Sequence, residues 1–145
     1  MIIAGAQKAG TTSLYEYLVQ HPDIEKPAGK ELHYFDLDYA KPFQWYRNLF
    51  PVKKEGKRTI EASPYYMFHP FAANIYKYVS PENVLIIKSE SFYKNPQSYL
   101  DQIYKRLHIN PYQNSNLDVR NKGKGSSNID RASLELMQRF YAQEQ

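Results

Sequence analysis

Two glycines five residues apart, Gly5 and Gly10, constrain this chain more than any other feature of its sequence. They bracket Ala6-Gln7-Lys8-Ala9 and are followed by Thr11-Thr12. The apolar run Ile2-Ile3-Ala4 comes before them, and a stretch of helical pattern, Thr11 to Gln20, comes after and stops before Pro22. A strand, a glycine-bearing turn and a helix in that order open an α/β fold, and the glycine spacing is that of a P-loop. Glycine lets the backbone curl until successive N–H groups point at one anion. The helix starting near Thr11 adds its positive end and its free N–H donors. A bare glycine turn with an exposed lysine is the alternative, and the strand–loop–helix context favours anion binding over it.

In the usual ATP-binding loop a lysine directly follows the second glycine, and the next Ser or Thr holds magnesium. Here Thr11 takes the lysine's place and the lysine lies inside the loop, at Lys8. Thr12 leaves a magnesium-dependent chemistry open. A sulfuryl group carries less charge than a terminal phosphate and needs no metal to neutralise it. Lys8 alone can stabilise charge building on a leaving phosphate oxygen, an interaction worth ~1.5–3 kcal/mol.

The rest of the composition narrows the setting. At 145 residues the chain is one ordinary domain, 1–145, and 42% hydrophobic with 23% charged residues is a globular balance. It contains no cysteine, which excludes disulfides and thiolate metal sites. No run approaches the ~20 apolar residues of a membrane span, so a cytoplasmic location is expected. A net charge of +4 is too mild to indicate nucleic acid but suits an anionic ligand. The 14 tyrosines give apolar bodies with polar tips, fit for a core or for lining a pocket.

Further along, Asp23 to Tyr39 reads as loop and short strand, and Trp45 to Phe50 as a short helix closed by Pro51. Arg58-Thr59-Ile60-Glu61 reads as a strand running into Ala62-Ser63-Pro64, and Pro70 to Val79 is helical in pattern. Val84-Leu85-Ile86-Ile87, apolar without alternation, predicts a parallel strand buried on both faces. Pro96 suits a helix start, and Leu100, Ile103, Tyr104 and Leu107 then form one apolar face. Asn110 to Asn128 reads as loop, and a last helix from Asp130 carries Leu134, Met137 and Tyr141 on one side.

Gln7-Lys8-Ala9-Gly10-Thr11-Thr12-Ser13-Leu14 resembles the 5'-phosphosulfate loop of sulfotransferases that use 3'-phosphoadenosine 5'-phosphosulfate (PAPS). His21-Pro22 with Lys30-Glu31-Leu32-His33-Tyr34-Phe35-Asp36, then Glu61-Ala62-Ser63-Pro64-Tyr65-Tyr66, then Glu82 through Pro96 agree in the same order. The likeness is nearest to the bacterial and glycan-sulfating branch. It implies a P-loop-type three-layer α/β fold, a short parallel sheet flanked by helices. It also implies PAPS as co-substrate, no metal, and a small-molecule or carbohydrate acceptor with a hydroxyl or amine. By the resemblance Gln7, Lys8, Ala9, Gly10, Thr11 and Thr12 hold the 5'-phosphosulfate, and Lys8 also acts in catalysis. Glu31 is the general base, with His33 a second candidate; in an extended segment the two side chains share one side. Taken alone, Glu31 reads as solvated surface and His33 as a hydrogen-bonded core histidine. Some glycan-sulfating relatives carry a lysine after the residue matching Glu61, where this chain has Ala62.

One part of the family pattern is absent. The family has a further strand ending in an Arg-x-Pro turn, where an arginine and a serine bind the 3'-phosphate. No Arg-x-Pro occurs here, and Tyr78-Val79 runs directly into Ser80-Pro81. The expectation is an internally truncated fold with the junction near 79–80, its neighbouring strands re-paired or left open. Lys122-Gly123-Lys124 resembles a loop that touches the 3'-phosphate, or else is a solvated basic loop. Two rivals to an active sulfotransferase stand beside it. One is a remnant that only binds a phosphorylated nucleotide, and the other, less favoured, is an ATP-using kinase.

Overall fold

The computed structural model describes residues 1–70, 75 and 79–118. Every strand pairing in it is parallel, as an α/β chain requires. Strand β1 (Ile2–Ile3) pairs with β4 (Glu61–Ala62), Ile2 opposite Glu61 and Ile3 opposite Ala62. Strand β2 (Ile24–Glu25) pairs with β3 (Arg58–Thr59). The expected single sheet is therefore two short ladders, and the expected strand 58–61 is divided between them at Ile60, which is fully buried.

Helix α1 (Thr11–Leu18) follows the glycine loop, and α2 (Phe43–Arg47) starts two residues before the predicted helix and ends before Phe50. A 3-10 turn, Pro64–Met67, leaves β4. Helix α3 (Ser89–Lys94), not anticipated from the sequence, precedes α4 (Pro96–Leu107). α4 has the predicted start and face: Pro96 opens it and the Asn95 side chain accepts from the Ser98 amide at 3.4 Å. Leu100, Ile103 and Tyr104 are buried, and His108 ends the helix in the left-handed conformation.

One core joins these pieces: Ile3 from β1, Tyr15, Tyr17 and Leu18 from α1, Ile24, Ile60, Ala62, Phe92 from α3, and the α4 face. Full burial of each large side chain contributes roughly 1.5–3 kcal/mol. Several polar atoms in and around it are matched. The Tyr104 hydroxyl donates to Asn114 Oδ1 (2.7 Å), and Asn114 Nδ2 donates to the Tyr17 carbonyl (2.6 Å). His21 Nδ1 accepts from the Asp23 amide, so its Nε2–H faces the Asn110 carbonyl at 2.8 Å.

Val84–Ile87 is not the doubly buried strand predicted. It is extended at Val84, but no strand among the described residues pairs with it. Ile86 is 87% exposed and Val84 38%, while Leu85 and Ile87 lie against the core. An unbroken apolar run is buried on both faces only where other elements cover both, and here one face is covered. The predicted helix 70–79 falls almost wholly outside the described residues, as do the helix from Asp130 and the basic loop with Lys122, Gly123 and Lys124.

Candidate functional site

The glycine loop is held in place from below. Gly5 has φ 144°, and a Cβ there would lie 2.7 Å from both the Pro64 carbonyl oxygen and Met67 Cβ. The Met67 amide donates to the Ala4 carbonyl at 2.8 Å, so the loop and the 3-10 turn are locked together. Gly10 sits at the N-cap of α1 with φ 91°, and no side chain caps the helix. The first turn also lacks an acidic residue to offset its positive end. Lys8 has φ 64°, a left-handed conformation uncommon for a side-chain-bearing residue and concentrated at functional sites.

Gln7, Lys8, Gly10, Thr11 and Thr12 line one open cleft together with Glu31, Pro64 and Tyr93. Its volume, about 280 Å³, is at the lower limit of small-molecule sites and suits a phosphosulfate-sized group better than a whole nucleotide. Ala9 closes the loop through its amide, which donates to the Ala6 carbonyl at 3.2 Å, but does not line the cleft. A second cation stands nearby that sequence reasoning had not assigned to the site. Lys30 Nζ donates to Thr12 Oγ1 at 3.4 Å and lies 5.6 Å from the Tyr15 ring centre.

Glu31 and His33 do come together, though not by strand alternation. Both are left-handed, φ 56° and 53°, and Glu31 Oε2 lies 3.7 Å from His33 Nε2. The extended segment that would have put both side chains on one side is instead a coiled loop entering a turn. Asp36, fully buried, places Oδ2 2.9 Å from His33 Nδ1 and accepts the Leu37 amide on Oδ1 at 2.7 Å. An acceptor fixed on Nδ1 makes that nitrogen the protonated one in neutral imidazole and leaves the Nε2 lone pair towards Glu31. Asp36 belongs to the same sequence segment as His33, and the i,i+3 spacing of the two is the signal in the sequence for this pair.

A buried carboxylate anchors this segment. Glu61, 1% exposed, accepts from the hydroxyls of Ser63 (2.7 Å), Tyr66 (2.6 Å) and Tyr46. Ser63 Oγ in turn accepts the His33 amide, and Tyr66 Oη the Phe35 amide, each at 3.4 Å. Burial, then the adjoining Glu61 carboxylate, pushes the Tyr46 and Tyr66 phenols well above their usual range. β1, the glycine loop, Glu61 and the Glu31–His33 turn therefore form one connected framework. Nothing in the local sequence announces it, because Tyr46 is fifteen residues from the carboxylate it serves.

No family model matches the chain. Over 136 residues it is 29% identical to mouse heparan sulfate glucosamine 3-O-sulfotransferase 3A1, covering 93% of this chain and 34% of that protein. Heparan sulfate glucosamine 3-O-sulfotransferase 5 of mouse is 42% identical over 92 residues, 61% of this chain and 26% of the relative. The chain spans about a third of the length of such curated relatives. Its fold superposes on the crystal structure of a sulfotransferase from Alicyclobacillus acidocaldarius with a TM-score of 0.73 and 19% identity, covering 97% of this chain and 90% of that one. The chain is thus similar in sequence to sulfotransferases, and its fold is that of a sulfotransferase.

Proposed function

We propose that the chain transfers a sulfuryl group from PAPS to a hydroxyl or amine of a carbohydrate acceptor. The observation that carries this reading is the single cleft that gathers Lys8, the uncapped start of α1 and Glu31. The loop amides and the α1 N-terminus hold the 5'-phosphosulfate. Glu31, or His33 through Nε2, takes the acceptor proton while the acceptor oxygen or nitrogen bonds to sulfur. The sulfur–oxygen bond to the 5'-phosphate breaks in the same in-line step, and Lys8 meets the charge left on that phosphate oxygen. Asp36 keeps His33 in the tautomer that presents Nε2, a positioning role. The relatives named for heparan sulfate glucosamine support a carbohydrate acceptor.

A second reading, a remnant that binds the nucleotide without turnover, is favoured by a sequence without an Arg-x-Pro turn and by a Val84–Ile87 stretch that has no partner strand among the described residues. Calorimetric titration with the product nucleotide, 3'-phosphoadenosine 5'-phosphate (PAP), tests the donor site under both readings. Saturable binding without magnesium, weakened in Lys8→Ala, is the expected result. A cooperatively folded sample that takes up no PAP would remove both.

A further inference from the structure

The geometry points to Tyr93 as a further donor-binding residue: its phenolic O–H donates to the anion held by the glycine loop. This deepens the proposed donor site and rests on that reading. Tyr93 reaches the loop from a segment far along the sequence, on α3, whose next-door Phe92 is 2% exposed and fixed against Tyr17 (ring centres 5.9 Å) and Tyr99 (6.2 Å). That anchoring lays the Tyr93 ring directly on Gly10. A Cβ added to Gly10 would collide with the Tyr93 hydroxyl and come within 2.9 Å of Cζ. Gly10 is thus required twice, once by its φ of 91° and once by the ring above it.

Packing alone accounts for the ring but not for its polar tip. The hydroxyl stands over the uncapped N-terminus of α1, on the wall of the same cleft as Lys8, Thr11 and Thr12. It makes no hydrogen bond to any of the described residues, unlike the hydroxyls of Tyr17, Tyr34, Tyr46, Tyr66 and Tyr104. A phenol at that point has one strong donor and, once an oxyanion is seated on the α1 amides, an acceptor within the same few ångströms. The loop amides then approach the anion from one side, Lys8 from within the loop and Tyr93 from above.

The test is a calorimetric titration of PAP into the full chain, comparing wild type, Lys8→Ala and Tyr93→Phe, with a thermal melt of each. Phe keeps the ring on Gly10 and removes only the donor. Loss of one hydrogen bond to a charged group predicts PAP binding weakened roughly ten-fold or more, at an unchanged melting temperature. The weakening should vanish with adenosine 3'-monophosphate, which lacks the 5'-phosphate. Tyr93→Phe binding PAP like wild type while Lys8→Ala binds it worse would overturn the role of Tyr93 and leave the donor loop standing. An equal penalty with both nucleotides would also overturn it, because the hydroxyl would then be acting on the fold. Failure of the wild-type chain itself to bind PAP removes the donor-site reading and Tyr93 with it.

Discussion

The Glu61 framework and the Val84–Ile87 stretch each end in the opposite state from the one their residue types favour. Around Glu61 a carboxylate, usually a surface group, is sealed from water and accepts three hydroxyl hydrogen bonds. At Val84–Ile87 four of the most core-prone side chains lie outside any strand, and Ile86 is almost bare. Partners make the difference. β4 has β1 beside it and Tyr46, Ser63 and Tyr66 around it, whereas 84–87 has no partner strand among the described residues. Residue type sets the cost of a position, and the presence of a neighbour decides whether that cost is met.

Glu61→Ala should be the most damaging change to this contrast. It leaves three hydroxyls without their acceptor and opens a void, for a loss of about 3 kcal/mol or more in urea unfolding. A loss below about 1 kcal/mol would mean that the framework is dispensable. The two apolar regions can be compared directly. Ile60→Ala, at a fully buried site, should cost about 2–5 kcal/mol, and Ile86→Ala no more than about 0.5 kcal/mol. Equal costs would show Ile86 to be covered in solution.

Alkaline pH sharpens the same comparison. Burial and Glu61 raise the Tyr46 and Tyr66 phenols above their ordinary value of 10.0, and burial pushes Tyr104 up to about 12. A group whose folded pKa is raised lends stability that is complete below its unfolded pKa and is lost as pH climbs towards the folded one. Stability should therefore hold to about pH 10 and fall above it. Tyr46→Phe should cost about 1–2 kcal/mol at neutral pH and make the alkaline fall shallower. An unchanged slope in urea midpoints from about pH 8 to about pH 11 would contradict the burial of that phenol.

The donor loop was legible in the sequence because backbone geometry restricts it: only glycine suits φ 144° and 91° at Gly5 and Gly10, so the residue types carry the fold information directly. Helix α4 was legible for a similar reason, its proline start and 3.6-residue apolar spacing being local. Glu31 and His33 were legible as a pair but not as a geometry, since nothing in their identities announces left-handed backbone. Lys30, Tyr93 and the Tyr46 hydroxyl act through contacts between segments well apart in sequence, which a single sequence does not encode locally, whereas Asp36 lies within three residues of His33. Val84–Ile87 misled because an apolar run signals a capacity for burial and says nothing of what covers it.

The most direct test of the central claim is transfer of radiolabelled sulfate from PAPS to a heparan sulfate oligosaccharide, in EDTA, by wild type, Lys8→Ala and Glu31→Gln. Label on the acceptor with wild type, undiminished by EDTA and reduced by roughly a hundred-fold or more in both variants, is the predicted result. PAP bound by the wild-type chain with no label transferred, or transfer indifferent to Lys8 and Glu31, would contradict it.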